Sequence, residues 1–154
     1  MIIDPSVIVA MLLDEPEAPI FAGLLQGAAV IRLSAASYVE LAAVVDGRGD
    51  ATASGALEPL LRRMHVVIEP FTERQAQLAR EAYQRFGRGS GHRARLNMGD
   101  CFSYALARDL GEGLLFKGRD FTLTDIEIVT TPHRHHRLSE VVGSYDAGNL
   151  RPGR

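Results

Sequence analysis

Four carboxylates are the candidates for chemistry in this chain: Asp4, Glu40, Asp100 and Asp120. Acids gathered at one place repel one another, and a divalent cation seated among them relieves that repulsion. Ligands that are all oxygen favour magnesium or manganese over zinc. A water held by such an ion can attack a phosphodiester in line while the ion neutralises charge on the phosphoryl oxygens. That chemistry needs carboxylates and no cysteine or histidine nucleophile.

Taken singly, each acid also has a structural explanation. Asn97-Met98-Gly99-Asp100 reads equally as a helix cap with an acidic first turn, favourable at the positive helix end. Glu40 could be a solvated helix residue, although Val39 and Leu41 flank it, and Asp120 could be a turn former in Gly118-Arg119-Asp120. Asp4 is hardest to explain that way. A carboxylate between Ile2-Ile3 and an apolar helix is costly unless something cationic compensates it.

The elements that must bring these acids together are short strands alternating with helices. Ile2-Ile3-Asp4 ends a small buried strand, and Pro5 suits the first position of a helix running through Val7 to about Leu13. A second helix is predicted from Pro16 to Gln26, a strand over Val30-Ile31-Arg32-Leu33, and a helix from Ala36 to Asp46 that carries Glu40. Ala53 to Met64 is helical, Val66-Val67-Ile68 is the third strand, and Thr72 with Gln75 forms a capping-box start to a helix reaching Phe86. After a glycine-rich loop, Asn97 to Leu110 is helical. Leu114-Leu115-Phe116 is the fourth strand, and a last short strand falls at Glu127-Ile128-Val129. This alternation predicts a parallel sheet covered on both faces, with ligands beyond the carboxyl ends of its strands. Asp4 and Asp120 lie at or just past such ends, Asp100 sits at the start of the helix leading into strand four, and Glu40 lies a turn into the helix leaving strand two.

Length and composition set the remaining bounds. A chain of 154 residues, 46% apolar and 23% charged, suits one soluble domain with one core. Cys101 is the single cysteine, so neither an internal disulfide nor a thiolate zinc site is available, and a reducing compartment fits. The apolar run from Val7 to Leu13 stops at Asp14-Glu15, too short for a membrane span or signal peptide, which points to a cytoplasmic protein. Net charge is −2, so any nucleic-acid contact must be local. One stretch offers it: Gln84 to Met98 contains no acid and gathers Arg85, Arg88, Arg93 and Arg95 with His92. Judged alone, it reads as a solvated loop rather than as a nucleic-acid contact. The run His133, His135 and His136 reads as tail, and Cys101, Phe102, Tyr104 and Ala105 as helix packing.

Four segments in this order resemble a known family: Ile2-Ile3-Asp4-Pro5-Ser6-Val7-Ile8-Val9-Ala10, Ala36-Ser37-Tyr38-Val39-Glu40, Leu96-Asn97-Met98-Gly99-Asp100-Cys101-Phe102-Ser103-Tyr104-Ala105, and Leu115-Phe116-Lys117-Gly118-Arg119-Asp120-Phe121. They are similar to the PIN-domain ribonucleases and, within them, the VapC toxins of bacterial toxin–antitoxin pairs. The resemblance implies a three-layer α/β/α domain with a short-stranded parallel sheet over residues 1–131, followed by a polar tail over 132–154. It implies RNA cleavage dependent on Mg2+ or Mn2+, with Asp4, Glu40, Asp100 and Asp120 as the acidic quartet. Asp4 and Asp100 are then the leading metal ligands, with Asp120 beside them. Ser6 matches a small hydroxyl residue that orients the first acid, Asn97 caps the helix and orients Asp100, and Asp125 is a second-tier neighbour. Pro5 departs from the threonine usual in relatives. The four arginines gain a role as phosphate contacts for RNA, and the partners implied are a VapB-type antitoxin and a second copy of the chain. The first two predicted helices, with Val7, Met11, Leu12, Ile20, Phe21, Leu24 and Leu25, are a candidate antitoxin surface; a core or dimer role for them is equally open.

Three other readings are weighed. An aspartate-nucleophile phosphatase wants a second acid two residues after the first, where Ser6 stands. A phospho-accepting receiver domain needs an aspartate at the end of strand three, where Glu69-Pro70 stands. A PIN fold that only binds its partner would have no need of an intact acidic quartet.

Overall fold

The computed structural model describes residues 1–130. The tail expected over 132–154, with the run His133, His135 and His136, lies outside the described residues. Along the chain come strand β1 (Ile2–Ile3), helices α1 (Pro5–Leu12) and α2 (Ala18–Gln26), and strand β2 (Ile31–Ser34). Helices α3 (Ala35–Gly47) and α4 (Ala51–Arg63), strand β3 (Val66–Glu69), and helices α5 (Glu73–Phe86) and α6 (Met98–Leu110) follow. Strand β4 (Leu114–Leu115) and a 3-10 turn over Asp120–Leu123 complete the order.

All pairings are parallel and the sheet order is β3-β2-β1-β4. The chain steps outward from β1 to β3 and then returns to the other side of β1. The carboxyl end of β1 is therefore the place where connections diverge, and a crevice opens there. Asp4 occupies that end.

The two-residue strands β1 and β4 are wholly apolar and buried, as strands covered on both faces are, whereas the edge strand β3 leaves Val67 and Ile68 exposed. On one face Ile3, Ile31, Leu33 and Leu115 join Val7, Ile8, Leu41, Leu57 and Leu61 in a core made with α1 to α4. On the other, Ile2 and Leu114 pack with Ala82, Phe86, Leu96, Tyr104 and Leu106 of the α5–α6 layer. Cys101, Tyr104 and Ala105 are buried packing residues of that second core. The result is a helix–sheet–helix sandwich.

Several boundaries differ from the sequence-based expectation. The segment expected to form a strand at Glu127 to Val129 makes a single bridge, Ile128 beside Leu114. Helix α2 begins at Ala18 because the preceding residues close a turn, with the Glu15 amide bonded to Ala10 and Asp14 at φ +50°. Thr72 caps α5 by accepting the Gln75 amide at 3.2 Å, yet the Gln75 side chain turns to Asp109 at 3.1 Å, so the reciprocal half of that capping box is missing. The complete capping box is at α6, between Asn97 and Asp100.

Candidate active site

Each of the four acids is delivered by a different element to one cleft of about 340 Å³, lined by Asp4, Glu40, Asp100 and Asp120 together with Ser6 and Asn97. Asp4 ends β1 and caps α1: its Oδ1 accepts the Ser6 amide at 3.0 Å, and Pro5 fills the first helical position, where no amide hydrogen bond is needed. Its Oδ2 accepts the Ser103 hydroxyl at 2.7 Å. Only 7% of Asp4 is exposed. Burial pushes its carboxyl above the ordinary range, against the hydrogen bonds from Ser6 and Ser103, and the charge of Asp120 adds to the rise.

Asp100 sits in the first turn of α6. Its Oδ2 accepts the Asn97 amide at 2.7 Å, and its own amide donates to the Asn97 side chain at 2.9 Å. The Asp100 carboxyl is pushed up to about 7, first by burial and then by the charges of Asp4, Asp120 and Glu40. Glu40, on α3, is raised by burial and by Asp4. Asp120 opens the 3-10 turn and is the exposed member at the rim. Among the described residues, no three of these acids stand within one ion's ligand shell. That suits magnesium, which commonly takes one or two protein carboxylates and keeps several waters.

Gly99 explains how α3 and α6 approach so closely. A Cβ placed there would overlap both Glu40 carboxylate oxygens, so the Glu40 carboxylate occupies the space a side chain would take. Gly99→Ala is expected to displace the flexible end of Glu40 rather than the helix. Alanine favours helix by about 1 kcal/mol over glycine. RNA cleavage should therefore fall roughly tenfold or more while the melting temperature holds, since a displaced site carboxylate is a loss of at least that order. Parallel cleavage and melting measurements check this, and unchanged cleavage in a folded variant refutes it.

Three residues at the cleft, Lys117, Glu15 and Ser103, were missed from sequence. Lys117 enters from the segment after β4, its amine 2.6 Å from Glu15 and 3.2 Å from Glu17. Its amide donates to Ser6 Oγ at 3.0 Å, so the Ser6 hydroxyl is tied to that segment while the Ser6 amide holds Asp4. Ser103 lies one turn beyond Asp100 on α6. The spacing of Asp100 and Ser103 was the available signal, but a serine in an apolar helix carries little by itself.

Two expected groups are placed elsewhere. Asp125 does not line the cleft: its Oδ1 accepts the Tyr104 hydroxyl at 2.6 Å and its Oδ2 bonds Arg85 at 3.0 Å. Arg85, also stacked 4.5 Å from the Phe86 ring centroid, is held by that pairing. Arg88, Arg93 and Arg95 are exposed on a loop whose ends are pinned by paired backbone bonds between Phe86, Arg88 and Leu96. None of the four arginines lines the cleft, but the loop runs directly into Asn97. The receiver-domain alternative fails on geometry too, because Glu69 at the end of β3 is paired with Arg32.

The fold is a parallel α/β sheet with a carboxylate-rich cleft at the carboxyl end of its first strand, where the connections diverge. The model of the PIN domain matches residues 1–127. Ribonuclease VapC28 of Mycobacterium tuberculosis is 54% identical over 127 residues, covering 82% of this chain and 96% of that protein. Ribonuclease VapC of Mycolicibacterium smegmatis is 46% identical over 129 residues, 84% and 99% respectively. Among solved structures, VapC20 of Mycobacterium tuberculosis, a toxin that cleaves the sarcin-ricin loop, superposes with a TM-score of 0.66 at 19% identity, over 84% of this chain and 98% of that one. VapBC2 of Rickettsia felis, bound to a DNA fragment from its promoter, superposes with a TM-score of 0.65 at 14% identity, over 83% and 96%. This chain belongs to the PIN-domain family, among the VapC ribonucleases, the toxin half of toxin–antitoxin pairs.

Proposed function

We propose that this ribonuclease cleaves RNA phosphodiesters with Mg2+ or Mn2+ seated among Asp4, Asp100 and Asp120, one or two of them binding it directly and the remainder through its waters, with Glu40 as the fourth acid of the site. The observation that carries this reading is the donor set: four carboxylates from separate parts of the chain line one cleft, and Asp4, Glu40 and Asp100 have no basic side chain paired with them among the described residues. Lys117, the one lysine of the cleft, already faces Glu15 and Glu17. The raised proton affinity of Asp4, Glu40 and Asp100 marks a site that lacks its counter-charge. When bound, the cation supplies charge neutralisation and an activated water. The chain's own part is to hold Asp4 through Ser6 and Ser103, and Asp100 through Asn97. The test is cleavage of single-stranded RNA by protein freed of any copurifying inhibitor: Mg2+ or Mn2+ restores activity and a chelator removes it. Equal cleavage in excess chelator overturns the reading. It also separates this from a silent binding module, which cleaves in neither condition.

RNA reaches the cleft past the loop that precedes Asn97, where Arg88, Arg93 and Arg95 contact phosphates and Arg85 holds the loop base against Asp125. Replacing Arg93 and Arg95 by Ala should weaken binding to all sequences alike. The slope of log affinity against log salt should become shallower by roughly 0.7 for each phosphate that the removed arginines had neutralised, as for single strands. A changed cleavage-site preference with an unchanged slope would mean that these arginines read bases.

The partners are a VapB-type antitoxin and a second copy of the chain. Val7, Phe21 and Leu25, expected at an antitoxin surface, belong to the core. The surface itself is the neighbouring groove of about 710 Å³ where Met11, Ala28, Val30, Met64 and Val67 meet, largely apolar and suited to an amphipathic segment. Val39 and Val44 on α3 and Met98 on α6 are exposed apolar residues flanking the cleft, and they suit a homodimer contact. No described helix is long and apolar enough to cross a membrane. The proposed place of action is the cytoplasm, where the RNA and the antitoxin are, and the proposed PIN domain spans residues 1–131.

A further inference from the structure

We propose that Ser103 and Ser37 are positioning residues that aim the Asp4 carboxylate and set its spacing from Asp100 and Glu40. The proposal rests on the reading of the cleft as a cation site. An ionised carboxylate only accepts hydrogen bonds, so at 2.7 Å the Ser103 hydroxyl is the donor to Asp4 Oδ2. The remaining capacity of Ser103 Oγ is as acceptor, which makes Ser37 Oγ, 3.4 Å away, the donor to it. The order is thereby set: Ser37 to Ser103 to Asp4. Both serines are at most 1% exposed, so bulk water cannot take either place.

The placement of the two hydroxyls follows that of the acids. Ser103 lies three residues after Asp100 on α6, and Ser37 lies three residues before Glu40 on α3. Residues three apart share a helix face. Each helix that brings an acid to the cleft therefore also brings, one turn away, a hydroxyl to a chain that ends on the third acid. Buried hydroxyls are costly unless bonded, and alanine would fill the same space without any polar requirement. What the hydroxyls add over alanine is direction. They leave Asp4 one way to point, and they tie α3 and α6 to the end of β1, so a shift in either helix moves the aim of Asp4.

The experiment uses Mn2+ alone as probe, titrated into the full-length protein without RNA and followed through the EPR signal of free Mn2+, with metal-free melting measured on the same samples. Ser103→Ala is expected to weaken Mn2+ binding roughly tenfold to a hundredfold, the range for residues that orient metal ligands, with little change in metal-free melting. Ser37→Ala, acting through a longer hydrogen bond, should weaken it less. If Ser103→Ala fails to fold, Ser37→Ala carries the test alone. Wild-type Mn2+ affinity in the folded serine variants overturns the proposal, and so does lowered metal-free stability with affinity intact, the mark of a purely structural role. Asp100→Asn is measured alongside. If it binds Mn2+ as wild type does, the cation reading fails and the proposal with it; if it loses binding while the serine variants keep theirs, only the positioning role fails.

Discussion

Asp100→Asn is expected to reduce RNA cleavage by about a thousandfold or more and to abolish toxicity, while the protein stays folded. A site cation contributes several kcal/mol to stabilising transition-state charge, and each 1.36 kcal/mol is a tenfold change in rate. Asparagine keeps an oxygen where Asp100 accepts the Asn97 amide at 2.7 Å, so the start of α6 remains capped. Asp4→Asn should lose as much activity but is less clean. Its carboxylate accepts from both the Ser6 amide and the Ser103 hydroxyl, and an amide nitrogen can accept from neither. Without metal, Asp100→Asn should be at least as stable as wild type near neutral pH, since it removes a charge that Asp4, Asp120 and Glu40 oppose. Single-turnover cleavage, with and without Mn2+, checks the first point and metal-free melting the second. Activity within tenfold of wild type would remove Asp100 from the mechanism.

The second large effect is on pH. In the metal-free protein Asp100 is raised from 3.8 to about 7, chiefly by burial. The folded state thus holds a proton that the unfolded chain has released, and metal-free stability falls as pH rises from about 4 to about 7. Metal requires the ionised carboxylate, so its affinity runs the opposite way. Mn2+ binding should be near its plateau at pH 8 and about a hundredfold weaker at pH 5, close to tenfold per unit below the carboxyl's pKa. Among the described residues no histidine lines the cleft, so the dependence expected there is that of the carboxylates. Isothermal titration at several pH values measures it. An affinity that is flat from pH 5 to 8 would mean that Asp100 does not bind the ion.

Asp4 and Asp100 were legible in the sequence because each sits at a boundary that local chemistry marks, whereas Glu40 lies inside α3 without such a mark. Pro5 identifies the start of α1 and therefore makes Asp4 a strand end; Asn97, with Asp100 three residues later, identifies the start of α6. Such signals involve only neighbouring residues and backbone preferences. The same locality explains the alternation of short apolar strands with helices, from which the parallel sheet follows.

What needed the tertiary structure is everything that depends on which distant groups meet. Arg85 and Asp125 each looked suited to the site, yet they neutralise one another, because the fold brings residues forty positions apart to 3.0 Å. Val7, Phe21 and Leu25 looked available to a partner, and packing against the sheet buried them instead. Lys117, Glu15 and Ser103 carried no sequence signal strong enough to single them out, since their roles exist only once β4, α1 and α6 converge on the end of β1. The sequence by itself determined the elements and the chemistry of the acids, because strand, helix and cap preferences act within a few residues. The tertiary structure decided which carboxylates have no basic partner among the described residues, because burial and proximity are properties of the packed chain, and on those carboxylates the proposed cation site rests.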